Sequence, residues 1–345
     1  MPTIFDLVKS QELTAYWETY TKDMPPYLGE ELFPADKKLG LDLKWIKGAS
    51  GLPAVLKPSA FDSKSIARDR IGFDKLSAEM PFFKESMYVD ENLRQELNKV
   101  LETNNAAYID AVLNRVFADE AALISGARAQ RERMRMSALT TGAISISANG
   151  QVYSYDYGVP SDHKDTVTTS WSNTAADIMG DIYDWQQVIL DGTGVKPTRA
   201  ICDNKTWGYI KSNEAIKKSI FVLSNGQATV SDAKLKEYLL QELELEVVVY
   251  TKRYKDETGT AKAFVPADTF VLFPEGQLGT TWFGTTPEES DLLSTNVANV
   301  SITDTGVAVT TTKETDPVNV NTKVTMICLP SFETADQIFI ADVIA

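Results

Sequence analysis

The longest periodic pattern of apolar and polar positions runs from Asp90 to Arg135. Ile109, Val112, Leu113, Val116, Phe117, Leu123, Ile124 and Ala127 recur at steps of three and four, which puts them along one side of a helix. Asp110, Arg115, Asp119, Glu120 and Arg128 fall on the other side. No proline and a single glycine, Gly126, occur before Met134. The stretch from Tyr108 to Arg135 alone predicts a rod of roughly 40 Å, at about 1.5 Å per residue. Thr103-Asn104-Asn105 marks a break from a shorter helix ahead of it. Arg128, Arg131, Arg133 and Arg135 stand in its last turns, where the helix dipole favours cations. They read either as a solvated helix end or as partners in ion pairs between subunits.

Ahead of this rod the pattern is less regular. Leu7, Val8, Leu13, Tyr16 and Trp17 predict a short amphipathic helix that stops before Pro25-Pro26, and an arm so rich in apolar rings must pack on something. Leu41-Asp42-Leu43-Lys44-Trp45-Ile46-Lys47 alternates with period two, and a turn over 48–53 follows. A polar stretch from Ser59 to Arg70 leads to a return through Phe73 to Phe83. This predicts a protruding two-stranded loop with too few apolar residues for a core of its own.

Behind the rod, Ala143–Ser147 and Val152–Tyr155 flank Asn149-Gly150, a type I′ hairpin signal. Residues 161–172 read as a polar connection. A helix is expected from Thr174 to Leu190, closed by Gly192, then a buried strand Arg199–Cys202 and a helix from Asp203 to Lys218. A helix from Ser231 to Glu242 runs into an apolar strand ending at Tyr250. A hairpin turned at Glu257-Thr258-Gly259, a strand Thr269–Phe273, and C-terminal strands Lys323–Leu329 and Ile338–Val343 complete a mixed α+β pattern.

Composition narrows the function. The 345 residues, 43% hydrophobic, suffice for one large domain or two. A formal net charge of −14, from 48 acidic and 34 basic side chains, argues against nucleic acid or an anionic membrane as the main partner. The single histidine, His163, removes most zinc sites and Ser-His-Asp arrangements. Cys202 and Cys328 sit in apolar runs and read as buried free thiols of a reducing compartment. The first residues carry no secretory signal, and no apolar stretch approaches the roughly 20 residues of a membrane span. A soluble, cytoplasmic protein is expected.

Each polar cluster has a plain reading. Ser161-Asp162-His163-Lys164-Asp165 reads as a solvated loop, because neighbours along a loop do not converge on one point. Gly192-Thr193-Gly194 lacks the Lys-Ser/Thr of a phosphate loop. Asp256 and Glu257 supply too few oxygens for a calcium loop. The expectation is therefore no catalytic residue, no cofactor and no bound metal.

The order of an apolar arm, a long loop, a long helix, a mixed body and a C-terminal return resembles the major capsid proteins of tailed phages with the Hong Kong 97-type fold, within them the lambda-type capsid protein E family. Four stretches carry the resemblance: Ile66–Phe73 with Glu79–Glu85, Trp171–Ile178, Pro266–Leu272 with Trp282-Phe283-Gly284, and Leu329–Asp336. It implies an α+β subunit with an N-terminal arm and lead-in strand (1–49), an extended loop (50–82), a peripheral domain with a spine helix (83–172 and 316–345) and an axial domain (173–315). It further implies a non-enzymatic shell protein of the virion, assembled in the host cytoplasm as homo-pentamers and homo-hexamers around DNA that it contacts without sequence preference, with no membrane partner. The arm is too short for a cleaved scaffold, so scaffolding protein and protease would be separate chains, beside a portal and, where present, a decoration protein. Arg68, Asp69, Arg70 and Asp74 crowd four charges into the loop that the resemblance lays over a neighbour. With Arg128, Arg131 and Arg135 they are the candidate intersubunit residues. An encapsulin-like compartment shell is the alternative within the fold, and a small-molecule enzyme of mixed α+β class the alternative outside it.

Overall fold

The computed structural model describes residues 4–22, 24–46, 75–103, 106–221, 229–293, 298–316 and 318–345. The loop stretch 47–74, and with it Arg68, Asp69, Arg70, Asp74 and the Ile66–Phe73 segment, lies outside the described residues.

The chain begins with α1 (Ile4–Leu7), α2 (Ser10–Thr21) and α3 (Leu28–Leu32), followed by β1 (Ala35–Lys37) and β2 (Asp42–Ile46). Next come β3 (Lys75–Glu79), β4 (Phe82–Tyr88), α4 (Glu91–Thr103) and α5 (Ala106–Thr141). The hairpin β5 (Ala143–Ala148) and β6 (Gln151–Asp156), β7 (Lys164–Thr166), α6 (Ile178–Thr193) and β8 (Arg199–Cys202) follow. Three helices, α7 (Asn204–Ser212), α8 (Glu214–Ile220) and α9 (Asp232–Leu243), lead to β9 (Glu246–Val249). Short strands β10 (Arg253–Lys255) and β11 (Ala261–Ala263) precede β12 (Thr269–Phe273) and β13 (Thr281–Phe283). The last strands are β14 (Asn299–Thr303), β15 (Val307–Thr315), β16 (Val318–Pro330) and β17 (Phe339–Asp342).

Residues 1–43, 77–134 and 280–331 form one compact unit, and residues 44–76, 135–279 and 332–345 a second. The first is built on a sheet ordered β1-β13-β16-β15-β14, with β4 also on β16. Strand β16 is long enough to serve three neighbours. It pairs antiparallel with β15 through residues 318–326, with β4 through 321–327 and with β13 through 328–330. Leu13, Trp17, Leu32 and Phe33 of the arm are buried, so the arm finds its apolar partner within its own chain. The sequence boundary at 315/316 falls in the turn of the β15–β16 hairpin, whose strands pair from Val307↔Met326 to Thr315↔Val318. Residues 307–330 are therefore one piece.

Helix α5 runs 36 residues, roughly 54 Å, well past the expected end at Arg135. Met136, Ala138 and Leu139 are fully buried and continue it, and Gly142 follows it with φ +73°. Its last turn carries no basic residue, so the four arginines are not a dipole-favoured terminus. The apolar stripe is as expected at Val112, Val116, Phe117, Leu123 and Ile124, all buried. The exception on the polar side is Glu120, only 1% exposed.

The second unit carries the mixed sheet β7-β17-β12-β8-β9. Trp171, Trp185, Phe270 and Phe339 stack at its centre, with centroid separations of 5.3–5.6 Å for Trp171–Phe270, Trp185–Phe339 and Trp171–Trp185. Asp177, Asp203, Asn213 and Ser231 cap α6, α7, α8 and α9 through side-chain oxygens that accept backbone N–H groups. The expected helix over 203–218 divides at Asn213, whose extended ψ of 131° stops α7 while its side chain starts α8. Helix α6 passes through Gly192 and stops at Gly194, the residue with the left-handed φ of 76° that a helix end requires.

Candidate assembly surfaces

Two arginines of α5, Arg128 and Arg131, form ion pairs inside the chain. Arg128 donates two parallel bonds to Glu30 of α3, Nε to Oε1 at 2.8 Å and Nη2 to Oε2 at 3.0 Å, and its guanidinium lies 5.1 Å from the Tyr27 ring. Arg131 donates Nη2 to Asp304 Oδ2 at 2.6 Å and Nη1 to the Asp304 carbonyl at 3.3 Å, and packs over Phe283. Asp304 and Thr305 hold φ of 46° and 73° in the β14–β15 turn, so Arg131 anchors a backbone that side-chain-bearing residues rarely adopt. Arg135 is 3% exposed. Within the chain the three do not form a solvated helix end. They fasten the arm and the β14–β15 turn to the long helix, except for Arg135, which is buried.

A pocket of about 290 Å³ opens where the end of β4, the start of α4 and the middle of α5 meet. Met87, Tyr88, Val89, Leu93 and Val116 supply its apolar lining, and Asp90, Asp119 and Glu120 its acidic groups. Neither carboxylate oxygen of Glu120 has a hydrogen-bond partner, and the buried Thr322 hydroxyl on β16 is likewise unpaired. Thr322 is near enough to favour the charged carboxylate, yet burial outweighs it, with a smaller push from Asp119, and raises the Glu120 pKa to about 7. The signal was present in the sequence. Glu120 lies four after Val116, three after Phe117, three before Leu123 and four before Ile124, in the middle of the apolar stripe. Along β4, Phe82, Met87 and Tyr88 are exposed at 38%, 37% and 49%.

The remaining candidates fold into local roles. His163 is 4% exposed rather than solvated: its Nδ1 donates to the Ile338 carbonyl at 3.1 Å and its ring stacks near Phe339. The connection expected at 161–172 contributes β7, parallel to β17, which brings His163 under the sheet edge. Asp256 Oδ1 accepts from the Thr258 and Thr260 amides and the Thr258 hydroxyl, so it closes its own turn, and these bonds with Lys262 hold its pKa well below the usual carboxylate range. Cys202 and Cys328 are buried free thiols, and burial pushes the Cys202 thiol up. Among the described residues no set of three or more His, Cys, Asp or Glu side chains is placed to hold a metal ion, and no helix is long and apolar enough to cross a membrane.

Comparison with known proteins points one way. The family model described as phage major capsid protein E matches residues 9–343. No curated protein matches the chain by sequence. Among solved structures, a prophage protein assigned as a capsid protein (E. coli CFT073) aligns with TM-score 0.60 at 14% identity, over 98% of this chain and 99% of that one. A phage-related protein from Bordetella bronchiseptica RB50 aligns with TM-score 0.57 at 14% identity, over 97% of each chain. The capsid of cyanophage A-1(L) aligns with TM-score 0.51 at 12% identity, over 92% of each chain.

Proposed function

Because the chain belongs to the phage major capsid protein E family and has the Hong Kong 97-type fold, we propose that it closes an icosahedral phage head from homo-pentamers and homo-hexamers around double-stranded DNA. Its structural role as a capsid protein comes with the family. The arrangement of the shell, the work without catalysis and the partners beyond its own copies are the reading added here. The observation that carries it is the family match across residues 9–343, which leaves no room for a separate catalytic domain within that span. The single histidine is buried and its Nδ1 donates to the Ile338 carbonyl, a structural place that supports a non-enzymatic role. A net charge of −14 suits a wall that repels packaged DNA rather than adsorbing it.

In this reading residues 83–172 with 316–345 form the peripheral part of the subunit around α5, and both strands of the 307–330 hairpin go with them. Residues 173–315, apart from that hairpin, form the axial part. Residues 1–49 are the arm and lead-in strand, and 50–82 the loop laid over a neighbour, where Arg68, Asp69, Arg70 and Asp74 meet charges of the adjacent copy. Separate scaffolding protein and portal, and a decoration protein where one exists, complete the particle, which assembles in the host cytoplasm. Electron microscopy and sedimentation of the protein produced alone and with its scaffold test this. Closed shells or capsomer rings are expected. A compact monomer at high concentration under every salt and scaffold condition overturns it.

A further inference from the structure

We infer that Glu120 makes the seat of α5 on the sheet a pH-sensitive joint: with its carboxyl neutral the helix packs down on β16, and with the carboxyl ionised that contact opens. The inference rests on packing within one unit of the chain, and it stands or falls apart from the capsid reading.

The seat is largely apolar. Val116, Leu123 and Ile124 of α5 are buried around Glu120, which is itself 1% exposed. Beneath it the register sets Met87 of β4, Thr322 of β16 and Thr311 of β15 opposite one another, so these three side chains share one face of the sheet. Val320 and Val324 flank Thr322 on that face and are buried, as are Thr311 and Thr322. The Thr322 hydroxyl is close enough to Glu120 to favour its charged form. Burial outweighs that contact, and Asp119 adds to the burial, so the carboxyl ionises only at about pH 7.

The charged and titratable groups on the surrounding elements do not offset this. Asp90 at the start of α4 and Tyr88 at the end of β4 line the neighbouring pocket, and Glu85 of β4 faces α5 at Gly126. Arg94 and Arg115 are engaged by Glu91 and Glu96. Lys313 shares the face of Thr311 on β15 but is exposed, as are Glu12 and Glu18 of α2, which meets α5 through Tyr16 and Phe117. The charge that acts on Glu120 is that of Asp119, and it has the same sign. Both carboxylate oxygens are closed off from solvent, although the residue borders the pocket of about 290 Å³. A carboxylate so placed gains water only if α5 lifts from the sheet beneath it. If opening restores the ordinary value of 4.5, the opened fraction grows roughly thirtyfold between pH 5.5 and 8.5.

Amide hydrogen exchange of the dispersed full chain, read by peptide at pH 5.5 and 8.5 and corrected for the intrinsic pH dependence of exchange, tests the joint. In wild type, protection over 116–124 and 320–326 should fall at least tenfold at the higher pH, while β12 in the other unit stays level. In Glu120→Gln the same stretches should hold level at both pH values. Equal protection at the two pH values in wild type, or an equal fall in Glu120→Gln, overturns the joint. Thr322→Val decides the matter where Glu120→Gln does not fold. Losing the hydroxyl that favours the charged form should move the transition to higher pH, and an unmoved midpoint counts against the inference. Difference infrared spectroscopy of wild type reads the carboxyl without any substitution. The band of a protonated carboxyl should be present at pH 5.5 and vanish by 8.5, and its absence at pH 5.5 also overturns the joint.

Discussion

Arg131 and Glu120 lie on the same helix and are both buried, but their energetic roles oppose each other. Arg131 is paired with Asp304 through both terminal nitrogens, and hydrogen bonds to charged groups contribute about 1.5–3 kcal/mol. Arg131→Ala should therefore lower the urea-unfolding free energy of the dispersed protein by about 2 kcal/mol, and Arg131→Lys should recover little, because an ammonium cannot reproduce the two-nitrogen grip on Asp304. Glu120 has a folded pKa raised from 4.5 to about 7. Below pH 4.5 both states hold the proton and the side chain costs nothing. Between about 4.5 and 7 the unfolded chain releases it first, so stability falls as pH rises, and above 7 the cost is constant at roughly 3 kcal/mol. Melting wild type against Glu120→Gln from pH 4 to 8.5 should show a gap that opens across that window and then stays level. A gap that does not change with pH removes the raised pKa. Glu120 and His163 are also where sequence reading erred. A charged or polar letter suggests solvent, but spacing within the stripe buries Glu120, and pairing of β7 with β17 buries His163.

Elements were legible where one local rule dominates. The Asn149-Gly150 turn is as expected: β5 and β6 pair in register from Ala143↔Asp156 to Ala148↔Gln151, and the two turn residues have φ of 52° and 74°. A Cβ on Gly150 would meet nothing within 4 Å, so Gly150→Ala isolates the backbone strain, and a loss of about 1 kcal/mol in denaturant unfolding is expected. Strand β12 and helix α9 were equally readable from periodicity and caps. Strands β14 and β15 were not. Their runs of threonine with valine and alanine look polar in sequence, yet Thr303, Thr310 and Thr311 are buried. The pairing with β16 that buries them is a tertiary fact with no local signature.

At the scale of the whole molecule, the fold class and family were legible because an ordered set of weak motifs spans the chain. Interfaces were less so, because a long charged helix reads the same whether its partners lie in its own arm or in a neighbour. Arg128 and Arg131 turned out to have theirs at home, in Glu30 and Asp304. The loop charges remain the intersubunit candidates. Isolated exposed pairs contribute about 0–1 kcal/mol, so reversing Arg68 and Arg70 together should leave the melting of the dispersed protein near wild type while particle yield in sucrose-gradient sedimentation collapses. Normal assembly of the double variant, or unfolding of the dispersed protein, would remove the loop from that role.

The three-way pairing of β16 also sets a schedule on the ribosome. Strand β4 emerges about 230 residues before the segment it must pair with, and at about 5–20 residues per second that is an interval of roughly ten seconds or more. During it, Phe82, Met87 and Tyr88 have no sheet to belong to. The nascent chain thus cannot present this surface to another copy until residues 321–327 are made. Synthesis itself delays association, and polysomes translating this protein should carry monomers that cannot yet recognise one another.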